Sequence, residues 1–264
     1  MADALKVGVV GCLGRMGQAI VSALALADGV EFVAGSEVST HTGVGVCMPG
    51  TKGIVVASAK PVFDAADVVI DFTPPGNTSA HAILAAETKT ALVVGTTGFS
   101  SDDSDALDQA AADTVIIQAG NYSLGVNILM AITKQVAEKL GIDWDIEVFE
   151  MHHRDKTDAP SGTALMLAEA AAAGRGQLLS DLRAEGPEGR NGERKKGSIG
   201  FASLRGGSVI GEHDVVFASN SERITLSHKA ENRTLFADGA VRAAAWTQGQ
   251  KPGRYTMKDV LALE

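Results

Sequence analysis

The chain is short of cysteine, short of aromatic residues and without any long apolar run. Its two cysteines in 264 residues, Cys12 and Cys47, are too few for a disulfide framework and form no metal-binding spacing, so no metal is expected. No apolar stretch approaches the ~20 residues that span a bilayer. The first residues lead straight into a strand-like run rather than a secretory leader. A soluble cytoplasmic protein with no membrane partner is therefore expected. Cations are outnumbered, 23 Lys and Arg against 32 Asp and Glu, for a net charge of −9. That balance argues against nucleic acid or an anionic membrane surface as a partner. Aromatics make up only 5% while glycine is abundant at 30 residues, a composition that suits a turn-rich, ligand-binding α/β protein. At 45% apolar, the chain can bury two cores as readily as one.

Against this acidic background, residues 150–163, E-M-H-H-R-D-K-T-D-A-P-S-G-T, concentrate positive charge. His152, His153, Arg154 and Lys156 follow an alternating apolar run that predicts a strand over 145–151. A predicted helix over 164–173 comes next. Ser161 is placed to cap it, since a serine hydroxyl accepts from a free backbone N–H one turn on. The amides of Gly162 and Thr163 then stand at the positive end of a helix dipole, where a carboxylate fits. Proton donors beside an anion cradle suit a small, acidic, reducible substrate. For Arg154, ion pairing with Asp155 or Asp158 to orient the loop is expected in preference to substrate contact. His153 has a second reading as a hydrogen-bonded structural histidine.

The first half alternates strand and helix. A short β-rich run over 6–11 ends in G-C-L-G-R-M-G, with glycines at 11, 14 and 17, and a helix follows over 18–27. The next strand, 30–35, ends at Ser36 and Glu37, and Glu37 stands 20 positions after Gly17. Strand, glycine turn, helix, strand and then an acid is the order of a dinucleotide-binding unit, where such an acid meets the adenosine ribose. The spacing here is G-x-x-G-x-x-G, weaker by itself than G-x-G-x-x-G. Arg15 is read either as a cofactor-phosphate contact or as a solvated helix start. Further strands are predicted over 68–72, 91–95 and 115–119, with helices over 77–87 and 101–112. Their carboxyl-end loops bring Thr73, Gly95–Thr97 and Gly120–Tyr122 toward one crevice; plain turn chemistry is the competing account of these residues.

A long helix over 124–140 leads out of this region. Beyond residue 196, short strand-like runs over 199–204, 209–211, 214–218 and 223–228 have no helices between them, which predicts an antiparallel region. The charged, glycine-containing stretch 177–196 reads as a solvated linker or a mobile lid. Helices are predicted over 233–246 and 257–263. The fold class is thus α/β: a doubly wound Rossmann-type domain plus an α+β domain with an open mixed sheet.

The motifs V-G-V-V-G-C-L-G-R-M-G, V-I-D-F-T, V-V-G-T-T-G-F, A-G-N-Y-S-L-G-V-N and E-M-H-H-R-D-K-T-D-A-P-S-G-T together resemble the 4-hydroxy-tetrahydrodipicolinate reductases, also called dihydrodipicolinate reductases. I-G-F-A-S-L-R-G-G, I-G-E-H and F-A-D-G-A-V-R-A-A-A-W extend the resemblance over nearly the whole chain. It implies NAD(P)H-dependent reduction of a cyclic dicarboxylate in diaminopimelate and lysine biosynthesis, by a homotetramer assembled through the central domain's sheet. It implies a dinucleotide-binding domain of 1–123 and 233–264, with 124–232 binding substrate. By motif, His152 and Lys156 are the catalytic proton donors, and the residues alone do not say which delivers the proton. His153, Ser161, Gly162 and Thr163 bind substrate. Gly11, Cys12, Leu13, Gly14, Arg15, Met16, Glu37, Gly95, Thr96, Thr97, Ala119, Gly120, Asn121 and Tyr122 contact the cofactor.

Many members of that family carry an arginine after the ribose-binding acid, where it meets the 2′-phosphate of NADPH; here Val38 stands there. NADH is expected to serve at least as well as NADPH, unless Arg15, Ser39 or His41 compensates. Two other readings stay open: a different Rossmann dehydrogenase of a small acid, and a non-catalytic nucleotide-sensing regulator. Neither Cys12 nor Cys47 is placed as the nucleophile a thioester-forming dehydrogenase needs, and a sensor has no need of His152 and Lys156.

Overall fold

A computed structural model describes residues 3–184 and 193–263. The chain divides into two compact units, Met1–Leu124 with Thr234–Leu263, and Gly125–Arg233.

The first unit is built on a seven-stranded sheet, every neighbouring pair parallel. Its strands are β1 (Leu5–Val10), β2 (Val30–Ser36), β3 (Ile54–Val56), β4 (Val68–Asp71), β5 (Ala91–Val94), β6 (Val115–Gln118) and β11 (Gly253–Tyr255), in the order β11-β6-β5-β4-β1-β2-β3. Both faces are covered, so the central strands read as unbroken apolar runs. On one face Val7, Val9, Val68, Ile70, Val93 and Ile117 pack with α1 (Arg15–Leu26) and α8 (Thr234–Trp246). On the other, Val10, Val69, Leu92, Val94 and Ile116 pack with α2 (Lys60–Ala65), α3 (Thr78–Thr88) and α4 (Ser101–Ala110). Strand order reverses between β1 and β4, which puts a ligand crevice outside their carboxyl ends. A short α9 (Met257–Val260) completes this unit.

The second unit holds α5 (Leu124–Leu140) from its second residue on, β7 (Asp145–His152), α6 (Gly162–Gly174), α7 (Leu179–Leu182), β8 (Ile199–Arg205), β9 (Glu212–Ala218) and β10 (Arg223–Lys229). Its sheet runs β10-β9-β7-β8. Ile146, Val148, Val215 and Phe217 face the apolar residues Leu167, Ala168 and Ala171 of α6.

The second sheet is mixed, as expected: β9 pairs antiparallel with β7 and β10, whereas β8, expected within the antiparallel region, pairs with β7 in parallel. Residues 209–211 are not a strand: they belong to the turn between β8 and β9, where Gly211 O accepts from Ala230 N. Strands β3 and β11 and helix α2 were not anticipated. Of the 177–196 stretch, residues 185–192 lie outside the described residues. Its flanks are anchored: α7 lies within it, and Arg194 donates to Asp145, Glu147 and the carbonyls of Ile146 and Ser198.

Candidate active site

In the first unit, the turn after β1 is shaped by two glycines. Gly11 has φ +67°, and a Cβ on Gly17 would stand 2.2 Å from Gly11 O, so α1 can lie this close only without a side chain there. Gly14 caps α1 without a side-chain hydrogen bond, which leaves the amides of the first turn of a 12-residue helix for an anion. Arg15 is exposed at that same end. Glu37 follows the last residue of β2, and its carboxylate accepts from Val38 N at 3.0 Å. Val38 itself is 63% exposed. His41 turns its Nδ1 to Gly43 N at 3.0 Å.

Several predicted cofactor residues are bound up with the scaffold. Cys12 is fully buried, its sulfur filling the space beside Gly35, and burial together with the charge of Glu37 pushes its thiol up to about 11. Leu13 and Met16 pack half-buried against the same core. Asp71, buried at the end of β4, accepts from Thr73 N at 2.8 Å and from the Thr73 hydroxyl at 2.7 Å, and faces His81 Nδ1 at 2.7 Å. The Thr96 hydroxyl donates to Thr73 O at 2.8 Å, tying the β5 loop with Gly95 and Thr97 to the β4 loop. After β6, in the 119–122 loop, Asn121 accepts from Ser123 N. The Tyr122 ring is buried against Phe72, its hydroxyl between Val94 O at 2.9 Å and Ile117 O at 3.1 Å. For Cys12, Thr73, Thr96 and Tyr122 the side chains thus carry the turn chemistry, and what they offer a ligand is backbone. Ala119 and Gly120 stand in the same loop.

In the second unit, β7 delivers Glu150 and His152 to the face covered by α6. Both are buried, Glu150 completely. The Glu150 carboxylate takes two bonds from Arg205, Nη1 to Oε2 at 2.8 Å and Nη2 to Oε1 at 2.7 Å. His152 Nδ1 lies 2.5 Å from its Oε2, and Ser161 N donates to Oε1 at 3.3 Å. Burial alone would raise the Glu150 carboxyl, but the hydrogen bonds from Arg205, His152 and Ser203 outweigh it and hold it at about 2. Burial lowers the His152 imidazole below its ordinary 6.5, against the opposing pull of Glu150 and with Lys156 and Arg205 adding to the shift.

Ser161 caps α6, its hydroxyl accepting from Ala164 N at 3.2 Å. His213 Nε2 stands 3.1 Å from that hydroxyl. The His213 ring meets His152 edge-on with centroids 5.1 Å apart, and burial pushes its imidazole down to about 4. Gly162 begins the helix with open space beside it, and Thr163 follows. Arg233 donates to His153 Nε2 at 3.3 Å. Lys156 pairs with Asp158 at 2.8 Å, so the ion pair expected for Arg154 is made by Lys156; the Arg154 amide donates to Gly207 O.

The second unit thus gathers His152, His153, Lys156 and the α6 N-terminus around one loop. Sequence reasoning assigned no part to Glu150, Arg205, His213 or Arg233. A signal existed for two of them: the L-R-G-G and G-E-H motifs place Arg205 and His213 in strands that also carry apolar residues. Among the described residues, no group of three or more His, Cys, Asp or Glu is placed to hold a metal, and no helix is long and apolar enough to cross a membrane.

A doubly wound parallel sheet with a glycine turn after its first strand and an acid after its second is the architecture of a dinucleotide-binding protein. Comparison with known proteins narrows the class. The family profile described as "Dihydrodipicolinate reductase, N-terminus" matches residues 5–122, and "Dihydrodipicolinate reductase, C-terminus" matches 125–261. The chain is 49% identical to a 4-hydroxy-tetrahydrodipicolinate reductase from Dinoroseobacter shibae and 48% identical to one from Parvibaculum lavamentivorans, each over 100% of both chains. Among solved structures, dipicolinate-bound dihydrodipicolinate reductase from Paenisporosarcina superposes with a TM-score of 0.80 at 24% identity, over 97% of this chain and 99% of that one. The chain belongs to the dihydrodipicolinate reductase family.

Proposed function

We propose that the protein reduces 4-hydroxy-tetrahydrodipicolinate to tetrahydrodipicolinate with loss of water, in diaminopimelate and lysine biosynthesis, using NADH or NADPH. The observation that carries this reading is the buried His152 next to the capped N-terminus of α6. One loop there offers a tuned proton donor, two further cations and a carboxylate cradle. His152 gives the proton that a ring carbon accepts. Lys156 is a second donor and stabilises developing negative charge. The amides of Gly162 and Thr163, with Ser161 holding the cap, take one carboxylate. His153 and Arg233 take the other.

In the first unit, Gly11–Met16 and the α1 N-terminus fit a pyrophosphate, Glu37 fits the adenosine ribose, and the loops at Gly95–Thr97 and Ala119–Tyr122 line the nicotinamide side of the crevice. The bound nicotinamide supplies the hydride. Val38, exposed right after Glu37, offers neither charge nor donor to a 2′-phosphate. NADH therefore serves at least as well as NADPH. The units correspond in role to a cofactor-binding domain of 1–123 with 233–264 and a substrate domain of 124–232.

The protein acts as a soluble, cytoplasmic enzyme with a small dicarboxylate as its partner rather than nucleic acid or membrane. It assembles as a homotetramer through the sheet face opposite α6, where Phe149, Met151, Leu204 and Val216 lie incompletely buried. Substrate-dependent oxidation of the reduced cofactor tests the reaction. A non-catalytic sensor would bind NADH and oxidise none.

A further inference from the structure

We infer that Glu150, clamped by Arg205, is the positioning residue for His152. It fixes the imidazole with its proton on Nδ1 and leaves Nε2 as the atom that exchanges the proton with substrate. This rests on the reading of His152 as the catalytic acid.

Three observations carry it. First, the contact is local and stiff. Glu150 and His152 stand two apart on β7 and share its inner face, with Nδ1 2.5 Å from Oε2. An ionised carboxylate has no proton to give, so Nδ1 must carry it. Second, the carboxylate cannot turn away. Arg205, opposite His152 across the β7–β8 pairing, grips both oxygens in a fork, and Ser161 N takes a further contact to Oε1. Third, the fixed acid serves both ends of the site. One oxygen orients the histidine. The other receives the amide of the residue that caps α6, so the proton donor and the carboxylate cradle are registered to a single buried group.

Arg205 matters in its own right, because a buried glutamate without a cation would tend to keep its proton and could then donate to the imidazole rather than accept from it. The other charged or titratable groups around His152 are Lys156 on the following loop with Asp158 beyond it, and His213 on β9 with His228 beyond it on β10. None of these replaces the Glu150 contact to Nδ1. A protonated His152 then holds one N–H on Glu150 and offers the second, on Nε2.

The test uses the full-length protein in two arms. In the unaltered chain with 15N-labelled imidazoles, long-range 1H–15N correlation of neutral His152, assigned by its loss in His152→Asn, should show the Nδ1–H tautomer. The Nε2–H tautomer overturns the proposal. Glu150→Gln keeps the shape and removes the charge. It should lower kcat about tenfold or more, leave NADH affinity unchanged, and move the pH midpoint of kcat/KM to lower pH, since the anion that favours imidazolium is gone. Folded Glu150→Gln with unaltered kcat and an unshifted midpoint overturns it. If that variant does not fold, the tautomer in the unaltered chain decides. Turnover that survives in His152→Ala would instead refute the catalytic reading, whichever tautomer is found.

Discussion

The hydroxyl of Ser161 joins His213 to the start of α6: it stands 3.1 Å from His213 Nε2 and accepts from Ala164 N at 3.2 Å. Residues 52 positions apart in sequence thereby set the end of the helix at which the substrate carboxylate is proposed to bind. His213 is 4% exposed, and its Nδ1 has no hydrogen-bond partner among the described residues.

That burial has a consequence for stability. Its cause is desolvation first, then the charge of His152, and it depresses the folded imidazole from 6.5 to about 4. The folded state therefore binds fewer protons than the unfolded state between these values. The contribution is fully present above pH 6.5 and is lost as pH falls toward 4. A shift of this size is worth on the order of 3 kcal/mol. Urea unfolding at several pH values should show the decline, and His213→Asn should remove it. An equal decline in both proteins would contradict the account.

A second pH dependence concerns activity. Burial sets the His152 imidazole below its ordinary value, and imidazolium is the form that donates. In the free enzyme, kcat/KM should fall as pH rises through a midpoint below 6.5. A bound dicarboxylate brings negative charge to the site, so the midpoint in kcat should lie at higher pH. A kcat/KM that stays level well into the alkaline range would point to Lys156 as the donor.

Cofactor choice is tested at Val38. Introducing Val38→Arg supplies a charge-assisted hydrogen bond to a 2′-phosphate, worth roughly 1.5–3 kcal/mol. The ratio of kcat/KM for NADPH over NADH should rise about ten- to a hundredfold. A wild-type protein that already strongly prefers NADPH would contradict the reading of Val38.

Assembly is tested on the outer sheet face. Light scattering on the eluting protein should give a homotetramer, and Leu204→Glu, placing a charge on a half-exposed apolar position, should shift it toward smaller species. A monomeric wild-type protein would contradict the proposed assembly.

The main lines of both sheets could be read from the sequence because their signals are local. Residues 68–70 and Ala91–Val94 are continuous apolar runs, and the glycines at 11, 14 and 17 mark a turn. The three-residue strands Ile54–Val56 and Gly253–Tyr255 gave no such signal. Each is too short for a pattern and is a strand only because a neighbour's edge pairs with it. The parallel placing of β8 was missed because register is a property of pairs of strands.

The same distinction holds at the site. His152, Lys156 and Ser161 stand within one short stretch and could be found by type and spacing. Arg205 lies 55 positions from Glu150, and only the β7–β8 register brings them together. For Tyr122 and Cys12 the motif does not reveal where the side chain goes: both are buried in the core, which leaves their backbone for the proposed cofactor contact.

The most direct test of the central claim is oxidation of NADH and NADPH in parallel, with 4-hydroxy-tetrahydrodipicolinate generated in place. The account predicts substrate-dependent turnover with NADH at least as good as NADPH, falling about a hundredfold or more in His152→Ala and Lys156→Ala while NADH binding is retained. Folded protein that binds NADH and turns over neither cofactor with this substrate would contradict it.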